Sequence, residues 1–231
     1  MDLLVLVAAR DGVEDELETK LRGEAQRLES ALGGGTTSAL LRRVPDDPFA
    51  AQYPRPRAFE WVLHVTAPGA EGADGVDAVV DAVDGMARRL DHLLHADLSG
   101  VVVGAVRRVT GDGKGAQRFV YLMRRKADTT TDQFQTHWGG PHAEFGRTTP
   151  GILGYDQFHP VPVASHRAAS AAGFAVWQID GVPVLHFDSW QEFVAQAVGS
   201  EGGSAALEDE QDFVDMPNSV GFTCDVVARS G

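Results

Sequence analysis

The chain has 231 residues, 43% of them apolar and 23% charged, with a net charge of -13. That length supports one large or two small globular domains with a full core. A surface this acidic repels phosphate backbones and anionic lipid, so nucleic acid and membrane surfaces are excluded as expected partners. The single cysteine, Cys224, rules out an intrachain disulfide, and its apolar surroundings suit a small core residue better than a nucleophile.

The opening MDLLVLVAARDG carries a short apolar run with no basic residue before it, and no stretch reaches the length of a membrane helix. The expected compartment is a reducing cytoplasm. The Arg-Arg pairs at 42–43, 88–89, 107–108 and 124–125 read as exposed strand and helix ends, not as an anion site.

In chain order, LLVLVAA (3–9) is a strand. The following segment places Val13, Leu17, Leu21, Ala25, Leu28 and Leu32 at helical spacing, and Gly33–Gly35 stop it. TSALLRRV (37–44) and FEWVLHVTA (59–67) are strands, joined by a Pro-containing loop over 45–58. VDAVVDAVDGMARRLDHLL (76–94) is helix and GVVVGAVRRV (100–109) strand. His92 and His95, near that helix's end, favour its C-terminal dipole. GDGKGAQ (111–117) lacks the spacing of a phosphate loop and reads as a linker.

The same order then recurs. RFVYLMRRK (118–126) is a strand, TTDQFQTHW opens a helix, and GILGYDQFHPV (151–161) and GFAVWQIDGVPVLHF (173–187) are strands around a second Pro-containing loop, 160–172. SWQEFVAQAV (189–198) and AALEDEQDFV (205–214) are helix in two pieces, and SVGFTCDVVA (219–228) closes with a strand. Each half reads βαββαβ, and Val62-Leu63-His64-Val65 matches Val184-Leu185-His186-Phe187 in position. The expected halves are 1–112 and 113–231. A βαββαβ unit makes a four-stranded antiparallel sheet with helices on one face. Two such units can press their open faces together into an intrachain barrel of eight strands, with an apolar cavity between the sheets for a small ligand.

The stretch HWGGPHAEF (137–145) carries a puzzle. Gly139, Gly140 and Pro141 are costly inside a helix, and Pro141 removes a hydrogen bond to the carbonyl of His137. Two histidines five residues apart lie about 140° apart on a regular helix, but a kink can turn both toward one opening.

FVYLMRRKADTTTDQFQTHWGGPHAEF (119–145), with Phe134, Trp138 and His142, resembles the opening strand and helix of EthD-domain proteins, and the likeness runs through DGVPVLHFDSWQEFVAQ and EDEQDFVDM to about residue 228. The resemblance implies an α+β fold of tandem ferredoxin-like repeats, the dimeric α+β barrel, here within one chain. The first half looks like a divergent copy without the Trp/His signature. Similar proteins accompany monooxygenases in ether and hydrocarbon catabolism. Wider relatives are polyketide cyclases, decarboxylases, dehydratases and cofactor-free oxygenases, and others bind haem; fold alone does not choose among them.

His142 is the leading candidate acid/base, because imidazole titrates near neutrality, and His137 is the second. The alternative is Trp138 as core and His142 as a pin for the bent helix. His64 and His186 sit on matching strands; facing inward they are further acid/base candidates, facing the helices they are structural. Tyr121 and Tyr155 are candidate oxyanion donors, and Trp138 and Trp177 candidate contacts for a planar ligand, though all are ordinary as core. No metal is expected, since His137, His142 and Glu144 match no common ligand spacing. The expected function is cofactor-independent proton transfer on a hydrophobic aromatic or polyketide-type molecule, giving cyclisation, dehydration or decarboxylation. The alternatives are a haem protein with a histidine axial ligand, or a non-catalytic accessory protein for a partner oxygenase. A second copy of the chain is admitted as a partner.

Overall fold

A computed structural model of the chain describes residues 1–47, 49, 59–197 and 199–230. The first half runs β1 (Asp2–Val7), α1 (Glu14–Leu32), β2 (Thr37–Arg43), β3 (Trp61–Thr66), α2 (Gly72–Val83), α3 (Met86–Arg89) and β4 (Gly100–Gly111). The second runs β5 (Gln117–Leu122), α4 (Thr131–Gly139), α5 (Ala143–Thr148), β6 (Gly154–Pro160), α6 (Pro162–Ala172), β7 (Val182–Phe187), α7 (Trp190–Ala197), α8 (Glu201–Phe213) and β8 (Val220–Arg229).

The eight strands close into one antiparallel barrel in the order β1-β3-β2-β8-β5-β7-β6-β4. Each half contributes a four-stranded ferredoxin-like sheet. The seams are β2 with β8 and β4 with β6, each carrying a register shift. Every residue of β1 is buried, because one strand face meets the barrel interior and the other meets helices. That explains a continuous apolar run where a one-sided sheet would alternate.

The space between the two sheets is not the open apolar chamber the sequence suggests. Leu4, Leu6, Leu41, Val62, Phe158, Val184, Phe222 and Cys224 fill it as one packed core. An eight-stranded barrel is just wide enough for its own side chains, so large inward residues fill its middle.

Outside the barrel, α1, α2 and α6 pack on the first sheet through Leu17, Leu21, Leu28, Val79, Val83, Ala164, Ala168 and Ala172. The outer face of the second sheet carries a separate cluster built on Phe119, Tyr121, Phe134, Trp138, Phe187, Phe193 and Phe213.

Several expected elements change. Residues 162–172 form helix α6, not a loop: Pro162 starts it and its alanines pack closely on the sheet. The helix expected over 76–94 breaks at Gly85, whose left-handed backbone (φ 64°) ends α2 and lets its N–H donate to the Ala171 carbonyl of α6. The strand expected from residue 173 begins only at Val182, and Trp177 lies in the preceding segment, which closes one barrel end against Phe59. Of the loop expected over 45–58, residues 48 and 50–58 lie outside the described residues.

Candidate active site

The Gly-Gly-Pro stretch joins two short helices. Thr130 caps α4 in a capping box with Gln133, and Phe134 and Trp138 anchor it in the aromatic cluster. Pro141 cannot continue the helix. The His137 carbonyl instead accepts the N–H groups of Gly140 (3.2 Å) and His142 (3.1 Å), and helix resumes as α5 at Ala143.

The bend brings both histidines to one carboxylate. His142 Nδ1 lies 2.7 Å from Asp209 Oδ2, and His137 Nε2 lies 2.9 and 3.0 Å from the two Asp209 oxygens. Asp209 belongs to α8. The Phe213 ring packs 4.8 Å from the His137 ring and 5.2 Å from that of His142. Burial alone would raise the Asp209 pKa, but the two histidine hydrogen bonds outweigh it and hold the group below its ordinary value. An ionised carboxylate only accepts, so each facing ring nitrogen carries the hydrogen. Neutral His142 therefore keeps its lone pair on Nε2.

That Nε2 faces a second carboxyl, Glu210 Oε1, at 3.8 Å. None of the described residues hydrogen-bonds the Glu210 carboxyl. Burial, with the charge of neighbouring Asp209, pushes its pKa up to about 8. Burial lowers the pKa of His142, offset in part by Asp209. At neutral pH the pair is a protonated acid beside an unprotonated base.

Both groups line a pocket of about 80 Å³ between the outer sheet face and helices α5 and α8. Tyr121 and Tyr155 share that wall with Phe145 and Leu185. The Tyr155 hydroxyl accepts from Trp138 Nε1 (3.1 Å) and Gln157 Nε2 (3.0 Å), which leaves its own hydrogen to donate. Burial holds that phenol far above its ordinary pKa, so the hydrogen stays. Trp138 itself is fully buried behind the wall. Gly146 lets α5 approach: a Cβ there would sit 2.1 Å from the Tyr155 ring.

Five of the eight residues singled out from the sequence thus meet here: His142, His137, Trp138, Tyr121 and Tyr155. They lie on the helix-covered face, not between the two sheets as expected. The strand alternation that turns Val120 and Asp156 inward turns Tyr121 and Tyr155 outward. His64 and His186 do face the barrel interior, at a polar end away from His142, and both line a pocket of about 280 Å³. His186 Nε2 lies 2.9 Å from Asp156 Oδ2, and His64 Nε2 lies 3.5 Å from Asp2 Oδ1. Trp177 lines two other pockets, of about 270 and 420 Å³.

Sequence reasoning missed Asp209 and Glu210. They lie in LEDEQD, where four acidic residues in a row of six read as a solvated helix face, and no spacing separates these two from Glu208 and Asp212. Gln157, also missed, gave no signal beyond a polar residue in a strand. Among the described residues no group of three or more His, Cys, Asp and Glu is placed to hold a metal, and no helix is long and apolar enough to cross a membrane.

Residues 126–217 match the EthD domain, so the second half carries an EthD domain. No curated protein matches the chain. Among solved structures, an anthrone oxidase-like protein aligns with TM-score 0.64 and 10% identity, covering 99% of this chain and 91% of its own. A "putative monooxygenase" from Lactobacillus acidophilus NCFM aligns with TM-score 0.51 and 9% identity, covering 99% and 92%. A "putative chlorite dismutase" aligns with TM-score 0.51 and 10% identity, covering 98% and 94%. At such identities the likeness establishes the fold, an α+β barrel of tandem ferredoxin-like halves.

The resemblance also admits a haem. The His142 pocket, at about 80 Å³, is smaller than the roughly 150 Å³ cavity that encloses one benzene, and both His142 ring nitrogens face carboxyl groups. These residues do not fit a haem, and no step is derived through one.

Proposed function

We propose that the EthD domain of residues 126–217 is a cofactor-independent proton-transfer enzyme acting on a carbonyl compound of aromatic or polyketide type. His142 is the base, Glu210 the acid and Asp209 the residue that positions the base. The reaction class is enolisation leading to cyclisation, dehydration or decarboxylation. One observation carries the reading: burial and charge drive two adjacent groups into opposite roles, a carboxyl held protonated to about pH 8 and an imidazole held neutral, 3.8 Å apart. Titratable pairs whose environments separate their protonation states are what acid/base catalysis requires.

In this scheme His142 Nε2 removes a proton from a carbon next to the carbonyl or conjugated with it through a ring. Glu210 donates its proton to the developing enolate oxygen. Asp209 holds the imidazole in the needed tautomer and balances the imidazolium that forms. Phe119, Phe145 and Leu185 supply apolar contact for the reacting end, while the rest of a larger substrate lies across the open mouth.

Anthrone, whose acidic methylene lies across the central ring from its ketone and is conjugated with it, is a probe of proton removal. In D₂O, the protein is expected to accelerate deuterium entry at that carbon, read by NMR. His142→Gln is expected to cut the rate roughly tenfold or more while the circular dichroism spectrum stays unchanged. Equal exchange in the variant removes His142 from the chemistry. Saturable binding of anthrone without exchange points instead to the non-catalytic accessory reading.

A further inference from the structure

At one end of the barrel, the 280 Å³ pocket takes its wall from both halves: His64 and Arg108 from the first, Arg118, Asp156, His186 and Arg229 from the second. Arg118 points into the barrel beside His186 and Cys224, its cross-strand partners. It is only 7% exposed. Its Nε is enclosed without a hydrogen-bond partner, and among the described residues no carboxylate lies within ion-pairing distance of its guanidinium.

The carboxylate whose charge acts on Arg118, Asp156, is already committed to other partners. Asp156 accepts from Arg108 Nε and Nη2 and from His186 Nε2. Asp2 accepts from the Thr66 hydroxyl (2.8 Å) and the Val106 N–H (3.0 Å). Arg229 donates to the Gly115 carbonyl and adds a second positive charge at the wall. His186 Nδ1 is also enclosed without a hydrogen-bond partner, while His64 Nε2 faces Asp2 Oδ1 at 3.5 Å. A buried cation with no counter-ion is unfavourable unless something else supplies the negative charge. The pair Arg107-Arg108, expected to be merely exposed, therefore places one of its members at this wall.

We propose that the barrel-end pocket is a second ligand site, which binds the carboxylate or phosphate group of a small metabolite through Arg118, with Arg229 and His64 beside it. A planar guanidinium fork matches either group with two parallel hydrogen bonds. The pocket is just below the usual range for drug-sized ligands, which suits a small metabolite. Because the wall spans the β2–β8 and β4–β6 seams, the anion ties the two halves together. This site is separate from the His142 pocket and does not depend on the reading given for it.

Calorimetric titration of the whole chain with inorganic phosphate and, separately, with malonate, at constant ionic strength set by sodium chloride, tests the proposal. At least one anion is expected to bind saturably at one site and to raise the unfolding temperature; which one does so separates the phosphate source from the carboxylate source. Arg118→Met is expected to weaken that binding roughly tenfold or more. Without anion, the variant's unfolding temperature is expected to equal or exceed that of the parent, since a lone buried charge is gone. Arg118→Lys, which keeps the charge but not the fork, serves if Arg118→Met does not fold, and it too is expected to bind more weakly. His142→Gln is expected to titrate like the parent, so a failed catalytic reading leaves this one standing. The proposal is overturned if neither anion binds saturably, or if both Arg118 variants bind as the parent does.

Discussion

His142 Nδ1 donates to Asp209 Oδ2 across 2.7 Å, from a helix restart forced by Pro141 to a residue 67 positions later in the chain. The contact fixes which imidazole nitrogen is free. Asp209→Asn offers an amide in place of an acceptor-only carboxylate, so the ring can turn its hydrogen to Nε2. Proton transfer from anthrone is expected to fall roughly tenfold, no further than in His142→Gln. The ¹⁵N shifts of His142 are expected to change from the Nδ1–H to the Nε2–H pattern. Unchanged shifts with lost activity would assign Asp209 some role other than positioning.

In the proposed scheme Glu210 is the acid, and its titration sets the alkaline limb of activity. A carboxyl with its pKa pushed up to about 8 is protonated, and able to donate, below that pH. The rate of exchange is expected to fall above pH 8, and Glu210→Gln to abolish that limb at a lower plateau. A profile that keeps its alkaline limb in the variant would show that another group titrates there.

Glu210 also has a cost in stability. The folded protein binds its proton more tightly than the unfolded chain does, where the ordinary value is 4.5. Between 4.5 and about 8 the folded state holds the extra proton, so stability falls as pH rises through this window, by about 1.4 kcal/mol per pH unit for one proton. Urea unfolding at pH 5 and pH 8 measures the slope, and Glu210→Gln is expected to flatten it.

Gly146 has no room for a side chain, because a Cβ would meet Tyr155 Cδ1 at 2.1 Å and Tyr155 is 2% exposed. Gly146→Ala is expected to destabilise the protein by about 1–3 kcal/mol in urea. It is also expected to weaken anthrone binding, as α5 shifts outward. A variant with parent-like stability and binding would show that α5 packs less tightly on the sheet than the contact implies.

Inside the barrel, Asp156 compensates both His186 and Arg108, with side chains 6%, 2% and 46% exposed. Asp156→Ala leaves those groups unpaired beside the cation of Arg118. Because Arg108 is half exposed, the expected loss is about 1–3 kcal/mol, read from the urea midpoint. The double change Asp156→Ala with Arg118→Met is expected to recover part of it; no recovery would mean the two charges do not interact.

Local physics was legible before any tertiary information. The βαββαβ order, written twice, follows from apolar periods and Gly/Pro punctuation, and two such units have bare faces that seek each other. Pro141 between two histidines announces a kink whatever surrounds it. The helical nature of 162–172 was missed because its alanines signal no face until a sheet lies beneath them. The fate of the barrel interior was decided by volume: Phe158, Phe222 and their neighbours fill a closed eight-stranded barrel.

The residue types and their local order determined the fold, the bend at Pro141 and the imidazoles it presents. Tertiary structure alone decided which face those imidazoles serve and which carboxylates meet them. Asp209, Glu210 and Arg118 look like ordinary surface charges when read along the chain. Burial, charge pairing and the loss of water act through space, and they turn the first into an anchor, the second into a neutral acid and the third into a cation without a partner.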